Sequence, residues 1–358
     1  MRVIVSAGGT GGHIYPAISI INKIKEKEPN SEILYIGTHD RMEREIIPAL
    51  DINYVAIEIK GFKRKLSKDN FTNLNLIRKA IKRSKKIISD FKPDVVIGVG
   101  GYVTGPVLYA AYRMKVPTFI HEQNSVPGLT NKILSRFVTK IGVSFVESMK
   151  FFDQKKVVYT GNPCGEDALS KHKIKKEALN LIPSKKLVLM VMGSLGSKRI
   201  NDKMNQVLTM FRDKNYEFLY VSGQEYFKKL DQSKLPGNVH VVPYINELSR
   251  VLKVTDVFIS RAGASTLSEI IALNVPTILI PSPYVTNNHQ YKNAMELVNN
   301  NEALLLEEKD FTEEALINKI DEIINNDELS NTLKKNLKAK GVLNSSTIIY
   351  EVLKTIKK

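Results

Sequence analysis

The chain has 358 residues, 43% of them hydrophobic, with a formal net charge of +16 and one cysteine. At roughly 100–200 residues per domain this length predicts two domains, and the lone Cys164 excludes an internal disulfide framework. No apolar run reaches the ~18 residues of a membrane-spanning helix, so an integral protein of that kind is excluded.

Met1-Arg2 leads directly into an apolar run, Val3 to Ala7, without a basic leader or small-residue cleavage site, which predicts a cytosolic chain. Strand-like runs follow at Ile33 to Ile36, Tyr54 to Ile59, Val95 to Val99, Thr118 to Ile120, Ile141 to Phe145 and Val157 to Tyr159, separated by helical patterns. Gly161-Asn162-Pro163-Cys164-Gly165 has the residues of a turn, and the domain boundary is expected near residue 163. The rhythm restarts at Leu187 to Val191 and continues through Phe218 to Val221, Val239 to Val242, Val257 to Ser260, Thr277 to Ile280 and Ala303 to Leu306. Thr312 to Lys358 is helical in pattern. This alternation predicts an α/β protein with two parallel sheets covered on both faces.

Several strand ends carry residues suited to chemistry. Gly8-Gly9-Thr10-Gly11-Gly12-His13 follows the first run, and Met192-Gly193-Ser194-Leu195-Gly196-Ser197 follows the run that restarts the pattern. Removing Cβ atoms at such a turn lets backbone N–H groups crowd around an anion at the start of a helix. The first turn lacks the Lys-Ser/Thr ending of a P-loop and fits the dinucleotide spacing poorly, which weakens both readings. His13 suits a general base, because imidazole titrates near neutral pH, and equally suits a backbone-bonded residue at the helix start. Gly98 to Pro106 is another glycine-rich turn, and His121-Glu122-Gln123-Asn124 places four polar residues where ligands of open α/β sheets bind.

Ser260 to Glu269 joins a strand to a helix whose N-terminus would favour a diphosphate by roughly 0.3–2 kcal/mol. Glu269 is placed to accept two hydrogen bonds from a ribose diol, yet Thr266-x-x-Glu269 also spells a capping box that merely closes the helix end. The polar cluster Thr286 to Asn293 offers Gln290 and Asn293 as amide donors and acceptors. The six histidines show no ligand spacing and there is no Asp-x-Asp pair, so neither a metal nor a cofactor is expected.

The positive charge is uneven. Residues 1–160 carry 26 Lys+Arg against 14 Asp+Glu, and residues 161–358 carry 27 against 23. Such a field suits nucleic acid, an anionic membrane or an acidic substrate, and it also follows from genome composition. Much of it lies in residues 61–90, with ten Lys+Arg against two Asp. There Phe71, Leu74, Ile77, Ile81 and Ile88 share one helical face, with Arg78, Lys79, Lys82, Arg83, Lys85 and Lys86 around the rest. That helix either lies on anionic lipid or packs on the sheet with its basic face solvated. The loop from Phe62 to Leu66 pairs apolar side chains with three cations and is the better candidate for lipid contact.

In order along nearly the whole chain, Gly8 to His13, Gly100 to Pro106, His121 to Asn124, Gly161-Asn162-Pro163, Gly193 to Gly196 and Ser260 to Glu269 closely resemble the MurG family of peptidoglycan glycosyltransferases. The resemblance implies a GT-B fold, in which two Rossmann-like parallel-sheet domains face a central cleft. Residues 1–163 would bind the acceptor and associate with the membrane, and 164–358 would bind UDP-sugar, the terminal helix packing back on the first domain. The implied reaction is inverting transfer of N-acetylglucosamine from UDP-N-acetylglucosamine to the C4 hydroxyl of the muramoyl sugar of lipid I, giving lipid II. Implied partners are UDP-N-acetylglucosamine, lipid I and an anionic membrane surface, with no nucleic acid; the implied place is peripheral, on the cytoplasmic face of the cell membrane. Thr10, Gly11, Gly12 and Asn124 match family residues at the cleft, and Ser194, Ile245, Ala264, Ser265, Thr266, Leu267, Ser268, Glu269 and Gln290 match the UDP-sugar site. Ile245 would act through its backbone against uracil. His13 is expected as the catalytic base, with Glu122 assisting. One departure stands out: Gly165 replaces the family's arginine, leaving Lys198 and Arg199 as candidates to supply that charge. Alternatives are a transferase using another lipid acceptor such as diacylglycerol, a non-catalytic sensor of UDP-sugar, and an NAD oxidoreductase.

Overall fold

Thirteen strands form two all-parallel sheets among the described residues. In this computed structural model the described residues are 1–60, 68–193 and 196–358. The first sheet comprises β1 (Arg2–Ala7), β2 (Glu32–Gly37), β3 (Asn53–Ala56), β4 (Val95–Gly100), β5 (Thr118–Glu122), β6 (Lys140–Val143) and β7 (Val157–Tyr159), in the order 3-2-1-4-5-6-7. The second comprises β8 (Lys186–Val191), β9 (Tyr216–Val221), β10 (Val239–Val242), β11 (Val257–Ser260), β12 (Thr277–Leu279) and β13 (Leu304–Leu305), in the order 10-9-8-11-12-13. Both orders reverse direction once, between β1 and β4 and between β8 and β11. These are the switch points where the outgoing loops separate and doubly wound sheets bind ligands.

The helices are α1 (Gly11–Lys27), α2 (Glu43–Ile46), α3 (Lys68–Phe91), α4 (Thr104–Arg113), α5 (Leu129–Leu134), α6 (Pro163–Ser170), α7 (Lys198–Val207), α8 (Gln224–Phe227), α9 (Leu248–Leu252), α10 (Ala264–Leu273), α11 (His289–Val298), α12 (Glu313–Ile324), α13 (Asp327–Lys340) and α14 (Ser345–Ile356). The chain divides into two units: Met1–Cys164 with Asn344–Lys358, and Gly165–Leu343. In the first unit strand residues alternate between two cores. Val3 and Val5 face one with α1 and α14; Ile4 and Val96 face the other with α3 and α4. This is the period of two expected of a strand covered on both faces. In the second unit Val188 and Met190 join α7 and α12 in one core, and Leu187 and Leu189 are equally buried.

The basic helix α3 spends its apolar side on the sheet. Ala80, Ile87 and Ile88 are buried in the core that holds Ile4, while Arg78, Lys79, Lys82, Arg83, Lys85 and Lys86 are exposed. The loop Phe62 to Leu66 and the side chains of Phe71 and Leu74 lie outside the description. Gly161-Asn162-Pro163, expected as a turn, leads straight into α6, with the Cys164 amide donating to Asn162 Oδ1 at 3.1 Å.

Candidate active site

In the first unit the turns after β1 and β4 interlock at the switch point. The Gly8 amide donates to the Gly100 carbonyl at 3.2 Å, and a Cβ on Gly101, whose φ is +90°, would lie 2.3 Å from the Gly8 carbonyl oxygen. Behind them sits Glu43, fully buried. Its carboxylate accepts from the Gly9 amide at 3.1 Å, the Thr38 amide at 3.1 Å and the Thr38 hydroxyl at 2.7 Å. Two amides of the glycine turn are thereby used inside the protein, next to a negative charge that disfavours a diphosphate there. Among the described residues the amides of Thr10, Gly11 and Gly12 at the head of α1 have no partner, and Thr10 caps the helix with no side-chain bond.

His13 lies on this turn with Nδ1 3.0 Å from the Gly8 carbonyl oxygen. A carbonyl oxygen only accepts, so Nδ1 carries the proton and the basic lone pair of the neutral ring is on Nε2. The ring lies close against Gly100, whose φ is +112° and whose Cβ, if it had one, would stand 2.5 Å from Cδ2 and 2.8 Å from Nε2.

The polar run after β5 resolves into different roles. His121 is wholly buried: Nε2 donates to the Gly161 carbonyl at 2.9 Å and Nδ1 accepts from Gln123. Burial pushes its pKa down to about 4, against a smaller upward pull from the Gly161 bond, so it is a neutral structural residue at pH 7. Glu122 is 1% exposed, and both its oxygens are engaged. Oε1 accepts from the Asn124 amide and side chain, and Oε2 accepts from the Gly128 amide at 3.0 Å and Asn131 at 2.9 Å. Four donors on one carboxylate tie Glu122 into the protein as an anchor. What it anchors is the loop carrying Asn124, which is half-buried, and the start of α5.

In the second unit three adjacent strand ends form the rim. Ser260 of β11 pairs in register with Val191 of β8 on one side and Leu279 of β12 on the other. The turn after β11 is stapled to both neighbours. Arg261 donates to the Ser197 hydroxyl at 2.8 Å and to the Ile280 carbonyl at 3.0 Å, with Glu308 as its counter-ion at 2.6 Å; Asn293, fully buried, donates to the Ala262 carbonyl. Helix α10 begins at Ala264 with Gly263 as its N-cap and no side-chain cap. That placement rules out the capping box, because Thr266 and Glu269 stand inside the helix. The amides of Ala264, Ser265 and Thr266 have no partner among the described residues, and the buried Ser265 hydroxyl has none either. Leu267 is core; Ser268 donates to the Ser265 carbonyl at 2.6 Å. Glu269 carries no hydrogen bond among the described residues, and burial raises its pKa to about 8 despite the nearby Lys171.

Ile245 lies half-buried between β10 and α9, with neither its N–H nor its C=O bonded among the described residues. Gln290 accepts from the Ser282 amide at 2.8 Å and so fixes the loop after β12. Ser194 lies outside the described residues; its neighbour Gly193 has φ +90° and Gly196 φ +74°. A Cβ on Gly165 would meet the Ser268 carbonyl oxygen at 2.9 Å and Ala272 at 3.3 Å, so α6 packs too closely on α10 for a side chain there. Among the described residues no group of three or more His, Cys, Asp or Glu side chains is arranged to hold a metal ion.

The comparisons with known proteins agree with this layout. Residues 3–143 match the glycosyltransferase family 28 N-terminal domain, and residues 187–347 match its C-terminal domain. The UDP-N-acetylglucosamine--N-acetylmuramyl-(pentapeptide) pyrophosphoryl-undecaprenol N-acetylglucosamine transferase of Bacillus cytotoxicus is 46% identical over the full length of both chains. The chain belongs to glycosyltransferase family 28. The enzyme of the same description from Halalkalibacterium halodurans is 44% identical over the same span. The crystal structure of Acinetobacter baumannii MurG superposes with a TM-score of 0.79 at 26% identity, covering 99% of each chain. This family 28 member is therefore a glycosyltransferase built from two Rossmann-like units. Sequence reasoning passed over Glu43, which accepts from the Gly9 amide, and Asn131, which donates to Glu122; nothing in the local sequence marks them, since each acts on residues distant along the chain.

Proposed function

We propose that this chain transfers N-acetylglucosamine from UDP-N-acetylglucosamine to the C4 hydroxyl of the muramoyl sugar of lipid I, forming lipid II. The observation that carries the reading is the end-to-end 46% identity to a transferase of that description, joined to a second unit whose rim suits a nucleoside diphosphate sugar. There the open amides of α10 would take the diphosphate and stabilise the charge that develops as UDP leaves. Glu269 would accept from the ribose hydroxyls, and the unpaired N–H and C=O of Ile245 match the donor and acceptor edge of uracil.

The first unit supplies the acceptor side. His13 Nε2 takes the proton from the attacking hydroxyl, Gly100 leaves room for its ring, and the Gly8 carbonyl fixes its tautomer. Glu122 holds the loop that presents Asn124. Attack opposite the leaving UDP inverts the anomeric carbon. Attachment to anionic lipid at the cytoplasmic face of the cell membrane rests on the exposed cations of α3 and on Leu129 and Ile133. These two lie one turn apart on α5 and are 70% and 53% exposed. No helix among the described residues is long and apolar enough to cross a membrane.

The test is a transfer assay with labelled UDP-N-acetylglucosamine and a short-chain lipid I analogue, with diacylglycerol as a parallel acceptor, each with and without EDTA. Label in the lipid I product, insensitive to EDTA, is the expected result. Label in diacylglycerol alone would move the acceptor assignment, and UDP binding without transfer to either would make the chain a sensor.

A further inference from the structure

A Cβ on Gly165 would stand 2.9 Å from the Ser268 carbonyl oxygen, so α6 brings no side chain to α10 from that position. The cations around the rim are mostly committed. Arg261 is neutralised by Glu308 and bonded to Ser197 and Ile280; Lys171 lies between Asp167 at 3.4 Å and Glu247 at 3.8 Å; Lys203 donates to the Phe311 carbonyl. Arg199, on the first turn of α7, differs. Its guanidinium carbon stands 4.3 Å from the ring centroid of Tyr284 and Nη1 donates to the Tyr284 hydroxyl, with no carboxylate partner among the described residues.

The place of this pair in the fold gives it meaning. Arg199 follows β8 and Tyr284 follows β12, and β11 runs between those two strands. The contact therefore joins the segments that follow the two strands flanking β11, the strand that leads into α10. Tyr284 is 62% exposed, so the strap lies at the surface rather than in the core.

We infer that Arg199, held by Tyr284 between the segments that flank β11, is the cation that receives the donor's diphosphate in this chain. A planar guanidinium with several N–H donors suits a diphosphate better than a point charge does. A ring contact, unlike a carboxylate, leaves the full positive charge for the ligand. The inference rests on the donor-site reading above.

Affinities of the full-length protein for UDP and for uridine, measured by titration calorimetry, separate the possibilities. Arg199→Ala should weaken UDP about 10- to 100-fold, as for one or two charged hydrogen bonds, and leave uridine unchanged. Arg199→Lys should recover part of the loss, and Lys198→Ala, an exposed cation without a directing contact, should cost under about 3-fold. Normal UDP binding by Arg199→Ala, an equal loss for uridine, or an equal effect of Lys198→Ala overturns the inference while leaving the donor site standing. A wild-type chain that binds neither UDP nor uridine overturns the donor-site reading and this inference with it.

Discussion

Gly100→Ala addresses the base through the residue that makes room for it. A methyl at this position would stand 2.5 Å from His13 Cδ2, where ordinary contact begins at 3.4 Å, so the ring must retreat by about 0.9 Å. A displacement of about 1 Å at a reacting group costs on the order of 100-fold in rate. The variant should therefore lose about 100-fold in kcat, with KM for UDP-N-acetylglucosamine unchanged because the donor residues lie in the second unit. An alanine at φ +112° also strains the backbone by about 1–3 kcal/mol. For a unit of about 180 residues this lowers Tm by about 2–12 °C, so rates are compared at a temperature where both proteins are folded. The decisive comparison is a double-mutant cycle with His13→Ala, which alone should lower kcat by roughly 10²–10⁴-fold. If Gly100 acts through the imidazole, adding Gly100→Ala to His13→Ala changes kcat little. Undiminished turnover in Gly100→Ala, or a full further loss in the His13→Ala background, would refute the reasoning.

Glu269, with its pKa near 8, is protonated in the free enzyme at neutral pH, while two ribose hydroxyls bond best to the carboxylate. UDP affinity should then rise with pH up to about 8 and level off above it. Calorimetry in buffers of different ionisation enthalpy should detect proton release on binding, and Glu269→Gln should remove both effects; a flat pH profile in the wild type would contradict the role. Glu122→Gln should lower kcat while the acid limb of the pH–rate profile, set by the base, stays in place; disappearance of that limb would return Glu122 to proton transfer. His121 takes up its proton near pH 4 when folded and near 6.5 when unfolded, so it costs stability as pH falls from 6.5 towards 4. The loss is on the order of 3 kcal/mol and should show as a falling urea midpoint over that window, absent in His121→Gln. Charge reversal of Lys79, Lys82, Arg83 and Lys86 on α3 should abolish co-sedimentation with vesicles containing phosphatidylglycerol while preserving UDP binding; unchanged co-sedimentation would place the membrane contact elsewhere.

Every strand expected from an apolar run is present within a few residues of its expected bounds, because strands buried on both faces are written as continuous Val, Ile and Leu. The glycine turns were equally legible, since φ values such as +94° at Gly9 and +90° at Gly101 and at Gly193 admit few other residues. Function within the turns was less so. The capping box read at Thr266 and Glu269 depended on a single fact, the position of the N-cap, and Gly263 rather than Thr266 holds it. Glu122 read as chemistry because it stands at a strand end among polar residues, yet its oxygens are taken by amides and side chains up to nine residues away. The likeness of the two halves, visible as paired glycine turns, also hid a difference: the first turn carries a buried carboxylate, Glu43, on its Gly9 amide. Such differences depend on which distant side chain reaches the turn, and spacing along the chain does not encode that.

The linkage in the transfer product tests the central claim most directly. Nuclear magnetic resonance of the labelled disaccharide released from the lipid I analogue should show a β-anomeric N-acetylglucosamine on the C4 oxygen of the muramoyl sugar. An α-anomeric sugar, a different position, or no disaccharide with an active donor site would contradict it.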